Sequence, residues 1–157
     1  QEAPMYHTPL AANLRPGPSG NEVIRMHAVD RLMLGASMRN IQSSWVKEGP
    51  RLAQFLLSAG ANDLGGTLMN ESISTSAGAQ YGQLVPPREL RRLIRDAGRV
   101  PAQRKTNYEL LKTFSAEDDE VSELDRVEDV NARFGSYHGL ANSRAFRFGK
   151  GTAGPVD

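Results

Sequence analysis

Apolar residues recur along the chain with two different spacings, and together they predict helices that alternate with short strands. Ser19 or Asn21 can cap a helix that begins beside it, and Gly35 can end that helix. Its apolar side is predicted to contain Val23, Ile24, His27, Val29, Leu32 and Met33. No second histidine or carboxylate shares the spacing of His27, so the pattern favours a core or half-buried histidine over a ligand or a catalyst.

Two strands and a second helix are predicted after that glycine. Residues 40–46 alternate between two faces, which is typical of a short strand. Pro50 suits the first turn of a helix that ends at Gly60. The predicted inward residues of this helix are Leu52, Phe55, Leu56 and Ala59. Residues 61–64 form the second predicted strand.

The remaining helices are less uniform. A weak helix is expected somewhere in residues 68–76, where serine and threonine lower the helix propensity. The pair Pro86-Pro87 begins a clearer helix that ends at Gly98. Its predicted inward residues are Leu90, Leu93, Ile94 and Ala97. The order of helix, strand, helix, strand, helix is typical of parallel βα units.

Both ends of the chain differ in composition from residues 20–114. Residues 1–19 are rich in proline, which predicts an extended lead-in. Residues 115–134 are acidic with apolar positions that step in threes, so an acidic amphipathic helix is expected. Residues 135–157 are rich in glycine and polar residues and are expected to form an irregular tail. We expect the lead-in, the acidic helix and the tail to contact other protein chains.

Two parallel strands cannot shelter their own sheet, because both faces and both edges need cover. The central segment is therefore predicted to be a slice of a larger parallel α/β fold, in which polar residues at the carboxyl ends of the strands form the site. The candidate site residues on this basis are Gln42, Ser44, Trp45, Asn62, Asp63 and Thr67. Gly65-Gly66 indicates either a tight turn or a close backbone approach to a ligand.

Composition narrows the functions that these elements can serve. The chain has 19 basic and 18 acidic residues, so no overall field favours nucleic acid or an anionic membrane, and no nucleic-acid motif is present. It has no cysteine, which excludes disulfides, iron–sulfur ligation and thiol nucleophiles. No apolar run approaches the roughly twenty residues of a transmembrane helix. We expect a soluble protein, in a plastid or mitochondrion if eukaryotic and in the cytoplasm if bacterial.

Several longer runs of sequence resemble one enzyme family. They are residues 2–6 (EAPMY), 15–18 (RPGP), 26–29 (MHAV), 40–47 (NIQSSWVK), 60–72 and 97–104 (AGRVPAQR). These runs resemble the carboxyl-terminal third of FO synthase subunit 2, and menaquinone-pathway radical enzymes share parts of them. The resemblance implies a radical S-adenosylmethionine enzyme that joins a tyrosine-derived fragment to 5-amino-6-(D-ribitylamino)uracil in deazaflavin biosynthesis. It also implies an α/β fold in which this segment is a partial TIM-type barrel, namely its last two βα units.

The resemblance further implies roles for individual residues. Polar contacts to the substrate are expected from Gln42, Asn62, Asp63 and Glu71, and a carboxylate contact from Arg99 or Arg104. Trp45 either stacks on a flat ring or packs inside the barrel, and the second interpretation is favoured. No residue is assigned a chemical step. S-adenosylmethionine and a 4Fe-4S cluster are expected only with the rest of the barrel, because the family's three-cysteine motif is missing here, so the chain alone binds no cofactor and is inactive.

Two functions therefore remain open. In the first, the chain is part of a working FO synthase that another chain or segment completes. In the second, it is a catalytically dead fragment that serves as a structural or interaction subunit of a large assembly, such as a ribosome, a respiratory complex or an organelle translocon. A basic stripe predicted at Arg88, Arg91, Arg92 and Arg95 is either a solvated face or a docking surface for an acidic partner.

Overall fold

The structure is a computed structural model, and it describes residues 17–69, 71, 81, 84–118 and 120–135. These residues form a mixed α/β arrangement of helices and one small sheet. The helices are α1 (Gly20–Leu34), α2 (Trp45–Glu48), α3 (Pro50–Leu56), α4 (Pro87–Asp96) and α5 (Val130–Phe134). The strands are β1 (Ala102–Arg104) and β2 (Leu110–Thr113), and 3₁₀ turns lie at Gly35–Ser37 and Glu123–Arg126. Within the described ranges, no helix is both long and apolar enough to cross a membrane.

Helix α1 begins where the sequence predicts, because Ser19 and Glu22 cap each other. The backbone N–H of Glu22 donates to the Ser19 hydroxyl (3.3 Å), and the backbone N–H of Ser19 donates to the Glu22 carboxylate (2.7 Å). Gly35 ends the helix with a φ of +46°. The Nδ1–H of His27 donates to the carbonyl oxygen of Val23 (2.9 Å). His27 is thus a half-buried residue bonded within its own helix, as predicted.

Much of the predicted apolar side of α1 does not face the core. Val23 is 8% exposed, whereas Val29 is 53%, Leu32 is 83% and Met33 is 79% exposed. These last three residues of the predicted apolar side are not covered, because α1 lies against α3 and no described element covers its far side. A helix with an apolar stripe usually buries that stripe against another element.

The two predicted strands lie side by side and parallel, but they pair at one point only. Gln42 and Asp63 form an isolated parallel bridge. The flanking backbone bonds run from Ser43 N–H to Asp63 O (2.8 Å) and from Asn62 N–H to Ile41 O (3.0 Å). The strand predicted at 40–46 was wrong beyond residue 44, because α2 begins at Trp45. A partial TIM-type barrel therefore stays a prediction.

The core lies where α2, α3 and α4 meet. Its buried members include Trp45, Val46, Ala53, Leu56, Leu57, Leu64, Leu90 and Leu93. The inward side predicted for α4 is confirmed, with Ile94 and Ala97 packed against these residues. Phe55 was wrongly predicted to point inward and is 56% exposed. At about 100° per residue, Phe55 lies on nearly the opposite side of α3 from Ala53, which faces the core.

Strands β1 and β2 form an antiparallel hairpin that the sequence analysis did not predict. Ala102 pairs with Thr113 and Gln103 pairs with Lys112, and the register shifts at Arg104. Both strands are short and mostly exposed, so neither carries the alternation of polar and apolar residues that predicts a strand. The hairpin matters because it returns Arg104 to the side chain of Asp63.

Residues 115–118 and 120–126, here called the acidic arm, pack along α4 instead of forming the expected helix. Arg95 donates to the carbonyl oxygens of Ser115 (2.6 Å) and Asp118 (2.9 Å), and Arg91 donates to that of Glu120. Among the described residues from 115 onward, only the 3₁₀ turn and α5 are helical. Acidic side chains that bond to nearby backbone N–H groups compete with helix formation, which explains the difference.

Asp125 fastens the distal end of the acidic arm. Its carboxylate accepts from the backbone N–H groups of Arg88 and Ser122, both at 2.8 Å, and lies 3.8 Å from Nη2 of Arg91. Burial acts to raise the pKa of Asp125, but the bonds from Arg88 and Ser122 and the charge of Arg91 outweigh it and hold the pKa below its usual value.

The predicted basic stripe on α4 is partly a solvated face and partly a surface that binds an acidic segment. Arg91 and Arg95 are covered by the acidic arm, which is a partner within the same chain. Arg92 instead bonds to Glu89 (2.7 Å) and Asp96 (2.5 Å) on its own helix and stays exposed.

Three predicted segments lie wholly or partly outside the described residues. They are most of the lead-in (1–16), most of the weak helix (residues 70 and 72–76) and nearly all of the tail (136–157).

Replacing Gly60 with alanine should destabilise the fold by about 1–3 kcal/mol, as measured by urea unfolding. An added Cβ would lie 2.6 Å from the carbonyl oxygen of His27 and 2.8 Å from Cβ of Arg31, and φ is +117°. Gly66→Ala is the control that separates backbone strain from steric overlap. Its φ is +125°, so alanine is strained there, but an added Cβ would have no atom within 4 Å. Equal losses in the two variants would contradict the close approach of α1.

The stability supplied by Asp125 should depend on pH. Its pKa is lower in the folded chain, so its contribution is complete above about pH 4 and is lost as the pH falls through the lowered value. We expect wild type to exceed Asp125→Asn in urea midpoint at neutral pH, with a gap that narrows in acid. A gap of the same size at both pH values would show that Asp125 does not titrate as proposed.

Candidate functional site

The side chain of Asn62 ties together the segments that lead into the two short strands. Its Oδ1 accepts from the backbone N–H of Ile41 (2.8 Å) and from Nη2 of Arg31 (3.1 Å), and its Nδ2 donates to the carbonyl oxygen of Arg39 (3.1 Å). The side-chain amide therefore makes hydrogen bonds to the neighbouring segment that backbone groups would make in a longer pair of strands. Its bonds within the chain give Asn62 a structural role, whereas its predicted contact with substrate stays a prediction.

Arg31 is a residue of this site that the sequence analysis missed. From α1 its Nε donates to the carbonyl oxygen of Gly60 (2.9 Å), and its Nη1 donates to those of Met38 (3.3 Å) and Arg39 (3.1 Å). Apart from the bond to Asn62, these partners are backbone carbonyls, which any sequence supplies. No motif or spacing could therefore have identified the residue.

Asp63 and Arg104 form a partly buried ion pair. Nε of Arg104 donates to Oδ2 of Asp63 at 2.5 Å, and the side chains are 24% and 9% exposed, respectively. The other carboxylate oxygen accepts from the backbone N–H of Gly65 (2.6 Å). The guanidinium of Arg104 also lies over the ring of Tyr108, 4.3 Å from its centre. The hydrogen bond that Arg104 donates to Asp63 is the main cause that raises the pKa of Arg104.

Two side chains from the segment of the first strand, Gln42 and Trp45, contact the turn at Gly65-Gly66. The indole N–H of Trp45 donates to the carbonyl oxygen of Gly66 (2.7 Å), and the ring is 1% exposed. The amide of Gln42 occupies the space that a side chain at residue 65 would need, and φ of Gly65 is +85°. The glycine is required here for a close approach within the chain. Trp45 packs in the core, whereas its predicted place inside a barrel stays a prediction.

The predicted site residues fall into two groups. Asn62, Asp63, Arg99 and Arg104 line an open groove of about 1150 Å³ beside the segments that precede the bridge. The groove lining does not include Gln42, Ser44, Trp45 or Thr67. Gln42 is itself a bridge residue, and the others, with Glu71, follow the bridge along the chain, where Ser44 precedes α2 and Thr67 and Glu71 are half-buried.

The groove is rich in positive charge. Arg31, Arg39, Arg99 and Arg104 line it together with one carboxylate, that of Asp63. Within the described part of the chain, the guanidinium groups of Arg39 and Arg99 bond to no other group, in contrast to those of Arg31 and Arg104. A carboxylate or phosphate is the ligand that such groups favour.

The groups present do not fit an iron–sulfur cluster. Such clusters are held by cysteine thiolates, and the chain has no cysteine. In the described ranges, no group of three histidine, aspartate or glutamate side chains is arranged to hold a metal ion.

Breaking the ion pair should cost about 2 kcal/mol of folding free energy, because a buried hydrogen bond to a charged group is lost. We expect Asp63→Asn and Arg104→Gln to lower stability by similar amounts, and the double variant to lose clearly less than their sum in a urea-based double-mutant cycle.

The control for this cycle is the exposed pair Lys105 and Glu109, whose charged atoms lie 3.0 Å apart. Its coupling should stay below about 0.5 kcal/mol. A coupling between Asp63 and Arg104 no larger than that of the control would contradict the structural role of the partly buried pair.

Comparison with known proteins confirms the resemblance seen in the sequence. The family described as the CofH/MqnC C-terminal region matches residues 10–117. A 5-amino-6-(D-ribitylamino)uracil–L-tyrosine 4-hydroxyphenyl transferase from Methanopyrus kandleri is 51% identical over 112 residues, which are 71% of this chain and 30% of that protein. A transferase of the same name from Archaeoglobus fulgidus is 56% identical over 95 residues, or 60% of this chain and 28% of that protein.

The chain spans less than a third of the length of these relatives. No solved structure matches it significantly. The family match nevertheless covers more than half of the chain. The chain therefore belongs to the CofH/MqnC C-terminal region family.

Proposed function

We propose that the chain is the carboxyl-terminal barrel segment of an FO synthase subunit 2-like enzyme and that it is inactive alone. The observation that carries this proposal is the parallel bridge between Gln42 and Asp63, because α3 lies between the bridged segments along the chain. A strand, a helix and a parallel strand form the repeating unit of a TIM-type barrel. Each bridged segment has a second edge at which no described strand pairs, so further strands can continue the sheet.

The exposed side of α1 supports the same proposal. Its apolar residues there are Met26, Val29, Leu32 and Met33, each more than half exposed. A contiguous apolar surface on a soluble protein usually marks a contact. Since this chain covers 30% of a relative such as the Methanopyrus kandleri enzyme, the remainder of a barrel is the natural cover for that surface.

The name of these relatives specifies L-tyrosine and 5-amino-6-(D-ribitylamino)uracil. In our proposal the substrate lies beyond the carboxyl ends of the strands, where barrel enzymes place their sites. Gln42 carries an exposed amide next to the Gly65 turn and can bond to the hydroxyl or ring amide groups of the uracil compound. Ser44, Thr67 and Glu71 follow the strands on the same side and are secondary candidates.

In this proposal, most of the remaining site residues hold the strands and the Gly65 turn in position. Asn62 and Arg31 fix the spacing of the strands, and Asp63 holds the Gly65 turn on one side and Arg104 on the other. Arg99 lines the groove before the bridge, away from the proposed substrate position, so its expected carboxylate contact stays a prediction. The chain thus binds and orients a substrate, whereas cluster chemistry belongs to residues outside this sequence.

A chimaera tests the proposal. Residues 10–117 of this chain replace the matching region of the Archaeoglobus fulgidus relative, and product formation from L-tyrosine and 5-amino-6-(D-ribitylamino)uracil is measured. We expect kcat/KM within about tenfold of the parent, since a tenfold loss corresponds to about 1.4 kcal/mol. A folded chimaera without activity would contradict the proposal and favour the structural-subunit alternative.

Gln42→Ala in the active chimaera should lower kcat/KM by about 10–100-fold, because a hydrogen bond to the substrate is lost. Gln103→Ala is the matched control, since Gln103 is an exposed glutamine on β1, and it should leave the rate unchanged. Equal rates in the two variants would remove Gln42 from the substrate site while leaving the barrel proposal in place.

A further inference from the structure

The acidic arm covers a positively charged surface to which α4 and β2 contribute side chains. The surface, here called the arginine face, consists of Arg91, Arg95 and Lys112. We propose that the arginine face is a docking site for an acidic segment of a partner protein, and that the acidic arm is its built-in, displaceable occupant.

Opposite charges hold the acidic arm to this face. Nζ of Lys112 lies 2.5 Å from a carboxylate oxygen of Glu120 and 3.8 Å from one of Asp118. Asp125 lies 3.8 Å from Arg91. Apart from Asp125, which is buried, the carboxylates of these pairs are at least one third exposed, so salt and competing carboxylates can reach them.

The acidic arm leaves the hydrogen-bonding capacity of the arginines incompletely used. The donors that bond to it from Arg91 and Arg95 reach backbone carbonyl oxygens. Nε of Arg91 and Nε of Arg95 are buried without a partner, and Arg91 as a whole is 7% exposed. A carboxylate can accept from two guanidinium N–H groups at once, so a segment that places carboxylates at these positions forms bonds that the arm does not.

Phe114, which directly precedes the acidic arm, is buried and anchors the start of the arm. It is 6% exposed and lies 4.8 Å from the guanidinium carbon of Arg91 and 4.9 Å from Nζ of Lys112, measured to the ring centre. The acidic arm can therefore leave the arginine face from residue 115 onward while Phe114 stays packed. The match to the family ends at residue 117, so most of the arm lies outside the shared region.

A partner protein fits the arginine face better than a second copy of this chain. The arm of a second copy would make the same bonds and leave the same two Nε groups unpaired. It would therefore gain nothing over the resident arm, which also has the advantage of being tethered. A segment with differently spaced carboxylates gains the unpaired donors.

Fluorescence anisotropy with a labelled peptide of ten glutamates tests the proposal on the full chain. We expect weak binding to wild type and at least about tenfold tighter binding to the arm-loosened variant Asp118→Asn/Glu120→Gln, whose changes lie in exposed carboxylates. Adding Arg91→Gln and Arg95→Gln should reverse that gain. Adding Arg92→Gln should preserve it, because Arg92 pairs with Glu89 and Asp96 rather than with the arm.

Three results would overturn the proposal. One is equal affinity of wild type and the arm-loosened variant for the peptide. Another is binding that Arg92→Gln weakens as much as the Arg91→Gln/Arg95→Gln pair does. The third is concentration-dependent dimerisation of the loosened variant in sedimentation velocity without peptide binding, which would assign the face to a second copy. Circular dichroism confirms that each variant is folded.

Discussion

The constraint on which the rest of this structure depends is that two parallel segments are held in place although no other described strand pairs with them. Backbone pairing supplies one bridge, so side chains supply the remainder. Asn62 bonds to the backbone of the first strand, Arg31 fastens both leading segments to α1, and Asp63 joins the second strand to the hairpin through Arg104. Such polar ties specify a register as well as adding stability, because each requires one geometry.

The same ties explain why glycine and polar residues are concentrated between residues 60 and 66. Gly60 lets α1 approach, Gly65 makes room for Gln42, and Gly66 offers its carbonyl oxygen to Trp45. Much of the polar character that marks a binding site in the sequence is therefore used within the chain. Gln42 keeps an exposed side chain beside this turn, and this is the basis for our proposal of substrate contact there.

The sequence predicted local features whose causes are local. The Ser19 cap, the end at Gly35, Pro50 at the start of α3 and the inward side of α4 are all present, since capping and helical spacing need no distant partner. Features that depend on distant contacts were missed or misplaced. The β1–β2 hairpin, the bonds of Arg31 and the path of the acidic arm are set by contacts up to 37 residues apart, and no element among the described residues covers the far side of α1.

Amide hydrogen exchange tests the central claim, that this chain is an open part of a larger sheet, most directly. The exchange rates of residues 40–44 and 61–64 are compared between the isolated chain and the chimaera with the Archaeoglobus fulgidus relative. If further strands pair with the open edges, exchange in both segments slows by at least about tenfold, since paired amides open only with larger units of structure. Unchanged rates in a folded chimaera would contradict the account.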